Sequence, residues 1–183
     1  MGESPILAGQ RITAGVLNGL PVTLSTLVTG SVNNSATETI IGTWTIPAND
    51  AVAGSGYQFR VIGTADITSV TNTVRLRLRL GSVAGALLMQ GSALTVPAGA
   101  FTNRWWNMHG YIYTPAAGSS GSLDGSSWWA EALQSSTPDE AISGCTAQSV
   151  DTTAAILLCV TADWGNAVSG DIVRTLDGGL NRI

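Results

Sequence analysis

The chain has 183 residues, only 11% of them charged, and a formal net charge of −4; its pI is near 4.7 and its mean hydropathy is +0.25. That length suits one domain, able to bury roughly 70% of the surface its unfolded chain exposes. The acidic balance argues against DNA or RNA as the main partner, and a charge content far below the usual ~25% points to apolar surface held in interfaces.

The opening "MGESPILAGQ" has no basic segment leading into an apolar one, so it does not read as a secretory signal. Ile6 stands where a myristoylation motif needs Ser or Thr. In "AGQRITAGVLNGLP", Thr13 can cap one short helical turn that Gly19 and Pro21 would end. A stretch this short cannot fold alone. Residues 1–21 therefore read as an N-terminal arm that docks on another protein, through Ile6, Leu7, Arg11, Ile12, Val16 and Leu17.

From residue 22 to 183 the pattern is β almost throughout, rich in threonine and valine with turn clusters at short intervals. Strands are expected near 22–30, 38–46, 56–68, 73–81, 86–90, 103–114, 126–134, 144–150, 154–164 and 170–176. Turn signals such as "PANDAVAGSG", "TPAAGSSGSLDGSS" and "DWGNAVSGD" separate them. Only "DEAI" hints at a helical turn. Many short strands without helical periodicity predict an all-β fold, an antiparallel β-sandwich or jelly roll. No apolar run approaches the ~20 residues of a membrane-spanning helix.

The most regular strand is "NTVRLRLRLGS", which alternates aliphatic residues with three arginines. Read as a hairpin with the preceding "GYQFRVIGTADIT", it pairs Ile67 with Val74, Ala65 with Leu76, Gly63 with Leu78 and Val61 with Leu80, so that both apolar faces coincide. That register sets Asp66 against Arg75, a cross-strand pair worth about 0.2–1 kcal/mol. Arg77 and Arg79 are left without a carboxylate, and a row of cations spaced about 6.7 Å apart repels itself. Arginine suits interface pairing, so Arg77 and Arg79 are expected at a subunit interface, with a plain solvated face or an anion or nucleic-acid contact as the alternatives.

Two tryptophan pairs, Trp105–Trp106 and Trp128–Trp129, fall in consecutive strands and are expected to face each other. Adjacent residues of a strand point to opposite faces. One Trp of each pair should fill the core and the other pack at a subunit interface, where Trp is enriched. The competing reading is that these four tryptophans stack on sugar rings of a host-surface glycan. Trp44 and Trp164 are expected to be packing residues. Cys145 and Cys159, with the single histidine His109, cannot complete a zinc site. A disulfide between them is open geometrically, but two buried apolar thiols is the preferred reading.

Nothing in the sequence assembles a catalytic site. No G-x-S-x-G, P-loop, dinucleotide-binding, H-E-x-x-H or EF-hand pattern occurs, and the carboxylates are scattered. The chain is read as a non-enzyme without catalytic residues, cofactor or metal.

The stretches "LAGQRITAGVLNGLP" and "LLCVTADWGNAVSGDIVRTLDGGLNRI" resemble bacteriophage virion proteins of actinobacterial phages and prophages. "GQRITAGVLN" and "V-x-A-x-W-G-x-A" are the most distinctive pieces. The resemblance implies a homotrimeric jelly roll of the tumour-necrosis-factor (TNF-like) type on the particle surface, assembled in the host cytoplasm. Its short arm would attach it to another virion protein, as a capsid decoration or head appendage, or as a small tail-tip or fibre protein.

Overall fold

The computed structural model describes residues 22–68, 71–91, 93–96, 101–132 and 147–183. The arm positions Ile6, Leu7, Arg11, Ile12, Val16 and Leu17, together with Cys145 and "DEAI", lie outside the described residues. Thirteen strands form two antiparallel sheets: β1 Val22–Thr26, β2 Val28–Thr29, β3 Ser31–Asn33, β4 Thr39–Ile46, β5 Gly56–Ile67, β6 Asn72–Leu80, β7 Leu87–Gln90, β8 Leu94–Val96, β9 Phe101–Ala116, β10 Gly121–Ala132, β11 Gln148–Val150, β12 Ile156–Trp164 and β13 Ile172–Arg182.

A seven-stranded sheet runs β1-β13-β5-β9-β10-β11, with β3 also on β13. A six-stranded sheet runs β2-β4-β12-β6-β7, with β8 also on β6. Set aside the short strands and the β10–β11 excursion. The remaining eight then divide between the sheets in the order first-eighth-third-sixth and second-seventh-fourth-fifth. This is the double Greek-key winding of a jelly roll.

The core lies between the sheets because each long strand presents alternate apolar residues inward. Tyr57, Phe59, Val61, Ala65 and Ile67 of β5 face Val74, Leu76, Leu78 and Leu80 of β6 across it. Trp44, Trp106 and Trp164 are fully buried there, and Trp44 packs tilted on Phe59 with ring centroids 5.8 Å apart. Gly63 makes room for this: a Cβ at that position would strike the Trp106 ring and the Arg174 carbonyl.

The expected β5–β6 hairpin does not form. β5 pairs with β9 and β13, whereas β6 pairs with β12, β7 and β8. Two strands with matching apolar faces satisfy their burial equally well side by side or across a core. Here the connection crosses from one sheet to the other. A buried carboxylate pins the crossing: Asp171 accepts hydrogen bonds from the Thr68 backbone N–H (3.0 Å), the Thr68 hydroxyl (3.1 Å) and the Asn72 side-chain amide (2.8 Å). The "WGNAVSGD" stretch thus performs a structural task, with Trp164 in the core, Gly165 fitted against Thr73 and Asp171 on the crossover.

Candidate functional site: the two outer sheet faces

With the inward faces committed to the core, function falls to the two outward faces. On the six-stranded sheet, β6 points Arg75, Arg77 and Arg79 outward, and β12 sets Asp163, Thr161 and Cys159 opposite them in that order. Arg77 is only 7% exposed and is ion-paired with Asp163 and, at 3.4 Å, with Glu38. Its Nε donates to Gln90 at 2.8 Å. Arg79 makes a fork on Glu38 through Nε (2.5 Å) and Nη2 (2.9 Å), and donates to the Gly85 carbonyl at 3.0 Å.

Partial burial pushes the Glu38 carboxyl up. Hydrogen bonds from Arg79 and Thr161 and the charges of Arg77 and Arg79 outweigh that, and hold it below the ordinary carboxylate value. Cys159 is a buried thiol on this face, and burial pushes its pKa up.

Three expectations change here. Asp66 does not meet Arg75: it pairs with Arg174 and accepts the Asn103 backbone N–H at 2.7 Å. Arg77 and Arg79 are not short of carboxylates, because Glu38 and Asp163 of the same chain supply them. The reason for expecting a neighbouring subunit at those arginines is therefore gone. Sequence spacing hid it, since Glu38 and Asp163 lie 41 and 86 residues from their partners.

The seven-stranded sheet has a different outer face. Along β9 the outward positions are Trp105, Asn107, His109, Tyr111 and Tyr113. Trp105 is 64% exposed, Tyr111 39% and Tyr113 45%. By contrast its neighbour Trp106 is 1% exposed, so this pair divides between surface and core as strand alternation requires. The two tryptophan pairs do not face each other. The β9–β10 register sets Trp128 against Gly110, Trp129 against His109 and Ala132 against Trp106. The reason is a turn much shorter than expected, because the strands run on to Ala116 and resume at Gly121. The side chains of Trp128 and Trp129 lie outside the described residues.

Beside this stripe, β5 adds Gln58, Arg60, Ile62 and Thr64, paired with Tyr111, His109, Asn107 and Trp105. The next strand, β13, sets Asn181, Gly179 and Asp177 against Gln58, Arg60 and Ile62. Besides Trp106 Nε1 in the core, four polar atoms on this sheet, Thr64 Oγ1, Asn107 Oδ1, Asp124 Oδ1 and Arg174 Nε, are buried without a hydrogen-bond partner among the described residues. A buried polar atom left unpaired costs about 1–3 kcal/mol. Among the described residues no cluster of three His, Cys, Asp or Glu is placed to hold a metal ion.

No protein-family model matches the chain, and no curated protein matches it. Two solved structures resemble it. One is the CBM2 module of an evolved Dit from Lactobacillus casei BL23 phage J-1, 15% identical over 85% of this chain and 75% of that one, with a TM-score of 0.32. The other is a conserved carbohydrate esterase from the Shiga toxin-encoding bacteriophage phi24B, 12% identical over 88% of this chain and 98% of that one, also at 0.32. Both are phage proteins, but at this score neither likeness bears on what this chain does.

Proposed function

We propose that the chain is a structural protein of a bacteriophage particle, a jelly roll that assembles as a homotrimer on the particle surface. The observation that carries the oligomeric reading is the outer face of the seven-stranded sheet. Trp105, Tyr111 and Tyr113 lie on one face of β9 over about 27 Å, beside buried polar atoms that lack partners among the described residues. Aromatic residues exposed together mark a contact surface. A second subunit would cover the rings and complete the polar groups, which the low charge content also favours. The virion assignment is supported by the resemblance carried by "GQRITAGVLN" and "V-x-A-x-W-G-x-A". The arm, through Ile6, Leu7, Arg11, Ile12, Val16 and Leu17, is assigned to attachment on a capsid or tail protein.

Two experiments test this reading. Light scattering on the purified chain should give the mass of a trimer, and Trp105→Ser with Tyr113→Ser should return a folded monomer. A wild-type monomer at micromolar concentration would refute the trimer. Deleting residues 1–20 should leave a folded protein that no longer joins particles; normal incorporation would refute the arm.

The exposure of Trp105 also favours a second reading, a glycan-binding head. Loss of glycan-array binding in Trp105→Ala, with mass and folding unchanged, would select it.

A further inference from the structure

The outer face of the seven-stranded sheet carries a feature that the aromatic stripe does not explain. Between β5 and β13 lies a groove of about 280 Å³ lined by Arg60, Ile62, Asp177, Gly178, Gly179 and Asn181. Its size is near the lower end of small-ligand sites, about 300–1,000 Å³. Two glycines create it. Gly178 lies so close to β5 that a Cβ there would come within 2.6 Å of the Arg60 carbonyl, whereas a Cβ on Gly179 would meet nothing within 4 Å. The strand is thus held tight at one residue and left bare at the next, opposite Arg60.

Arg60 and Asp177 are the charged residues that line this space. The Arg60 guanidinium has no hydrogen bond or ion pair among the described residues. Among the described residues Asp177 accepts only the neighbouring Gly178 backbone N–H, at 2.8 Å. Arg60 and Asp177 line one groove yet form no ion pair with each other.

We propose that this groove binds a neutral saccharide unit, a pyranose ring of a surface glycan. An anion would be opposed by Asp177 and a cation by Arg60. A neutral polyol satisfies both, with hydroxyls donating to the carboxylate and accepting from the guanidinium. Ile62 and the bare Gly179 backbone supply an apolar wall for the C–H face of a ring. This inference rests on the reading of the chain as a particle-surface protein, but it fails separately, because the groove does not include the stripe assigned to the trimer.

The test is saturation-transfer NMR on the full chain with methyl glycosides of glucose, galactose, mannose and N-acetylglucosamine at about 10 mM, with N-acetylneuraminic acid as the anionic comparison. Transfer to at least one neutral glycoside is expected. It should fall by about tenfold or more in Gly179→Val and in Asp177→Asn. Gly179→Val fills the groove from a position with free space, so its melting temperature and oligomer mass should match the wild type. Three results would overturn the proposal: no transfer to any neutral glycoside, transfer only to the anionic sugar, or binding unchanged in both variants. A change of oligomer mass in Gly179→Val would also overturn it, by assigning the groove to the subunit contact.

Discussion

The two outer faces of this sandwich solve the same problem in opposite ways. The six-stranded sheet carries three arginines in a row and closes two of them, Arg77 and Arg79, with its own carboxylates, Glu38 and Asp163. The seven-stranded sheet carries aromatic rings that stay exposed and polar atoms that stay unpaired among the described residues. A face that satisfies its own charges offers little to a partner, since binding there would have to compete with contacts already made. An unfinished face gains from being covered. If the proposed trimer forms, unpaired polarity beside exposed rings, rather than charge, marks its contact face.

The comparison is broken most forcefully by removing the carboxylate that two arginines share. Glu38→Ala leaves Arg77 and Arg79 largely buried with one acceptor fewer, and should lower stability by about 2–4 kcal/mol in urea unfolding. The oligomer mass should not change at protein concentrations where the variant stays folded. Charge reversal at Arg77 and Arg79 should likewise act on folding before it acts on assembly. An oligomer that dissociates while the subunits stay folded would restore the arginines to the interface.

Acid tests the same network without mutation. The folded-state pKa of Glu38 lies below its ordinary value of 4.5. Its contribution is therefore fully present above that pH and is lost as the pH falls through the lower folded value. Wild type should lose stability below about pH 4.5 more steeply than Glu38→Gln, as read by melting temperature against pH.

On the other face, stability and assembly should separate. Trp105→Ser removes a ring that is mostly in solvent, so thermal unfolding at subunit concentrations too low for assembly should shift by no more than about 0.5 kcal/mol. Oligomer dissociation should nevertheless rise at least about tenfold in light scattering or analytical ultracentrifugation. The smallest effect is expected at Arg75, which has no hydrogen bond or ion pair among the described residues. Arg75→Ala should stay within about 0.5 kcal/mol of wild type. A loss equal to that of Arg77→Ala would show the strip acting as one unit.

Much of this was legible in the residues. Alternation located most of the long strands within a few positions, and the adjacent tryptophans Trp105 and Trp106 divided as alternation demands. Strand partners were not legible. The pattern of β5 and β6 fits a hairpin and fits two strands facing each other across a core, and nothing local distinguishes them. The carboxylate that decides, Asp171, arrives about a hundred residues later. The groove at Gly178–Gly179 was equally hidden, because "DGG" also reads as an ordinary turn, whereas β13 runs straight through it.

By itself, then, the sequence determined an all-β chain, its inward and outward positions, and a surface poor in charge. These follow from a period of two along each strand and from composition, both local quantities. Only the tertiary structure decided which strands pair, which carboxylates reach Arg77 and Arg79, and which outer face is left incomplete. Those depend on contacts between residues far apart in the chain, where alternation is blind because every register of the same parity buries the same side chains.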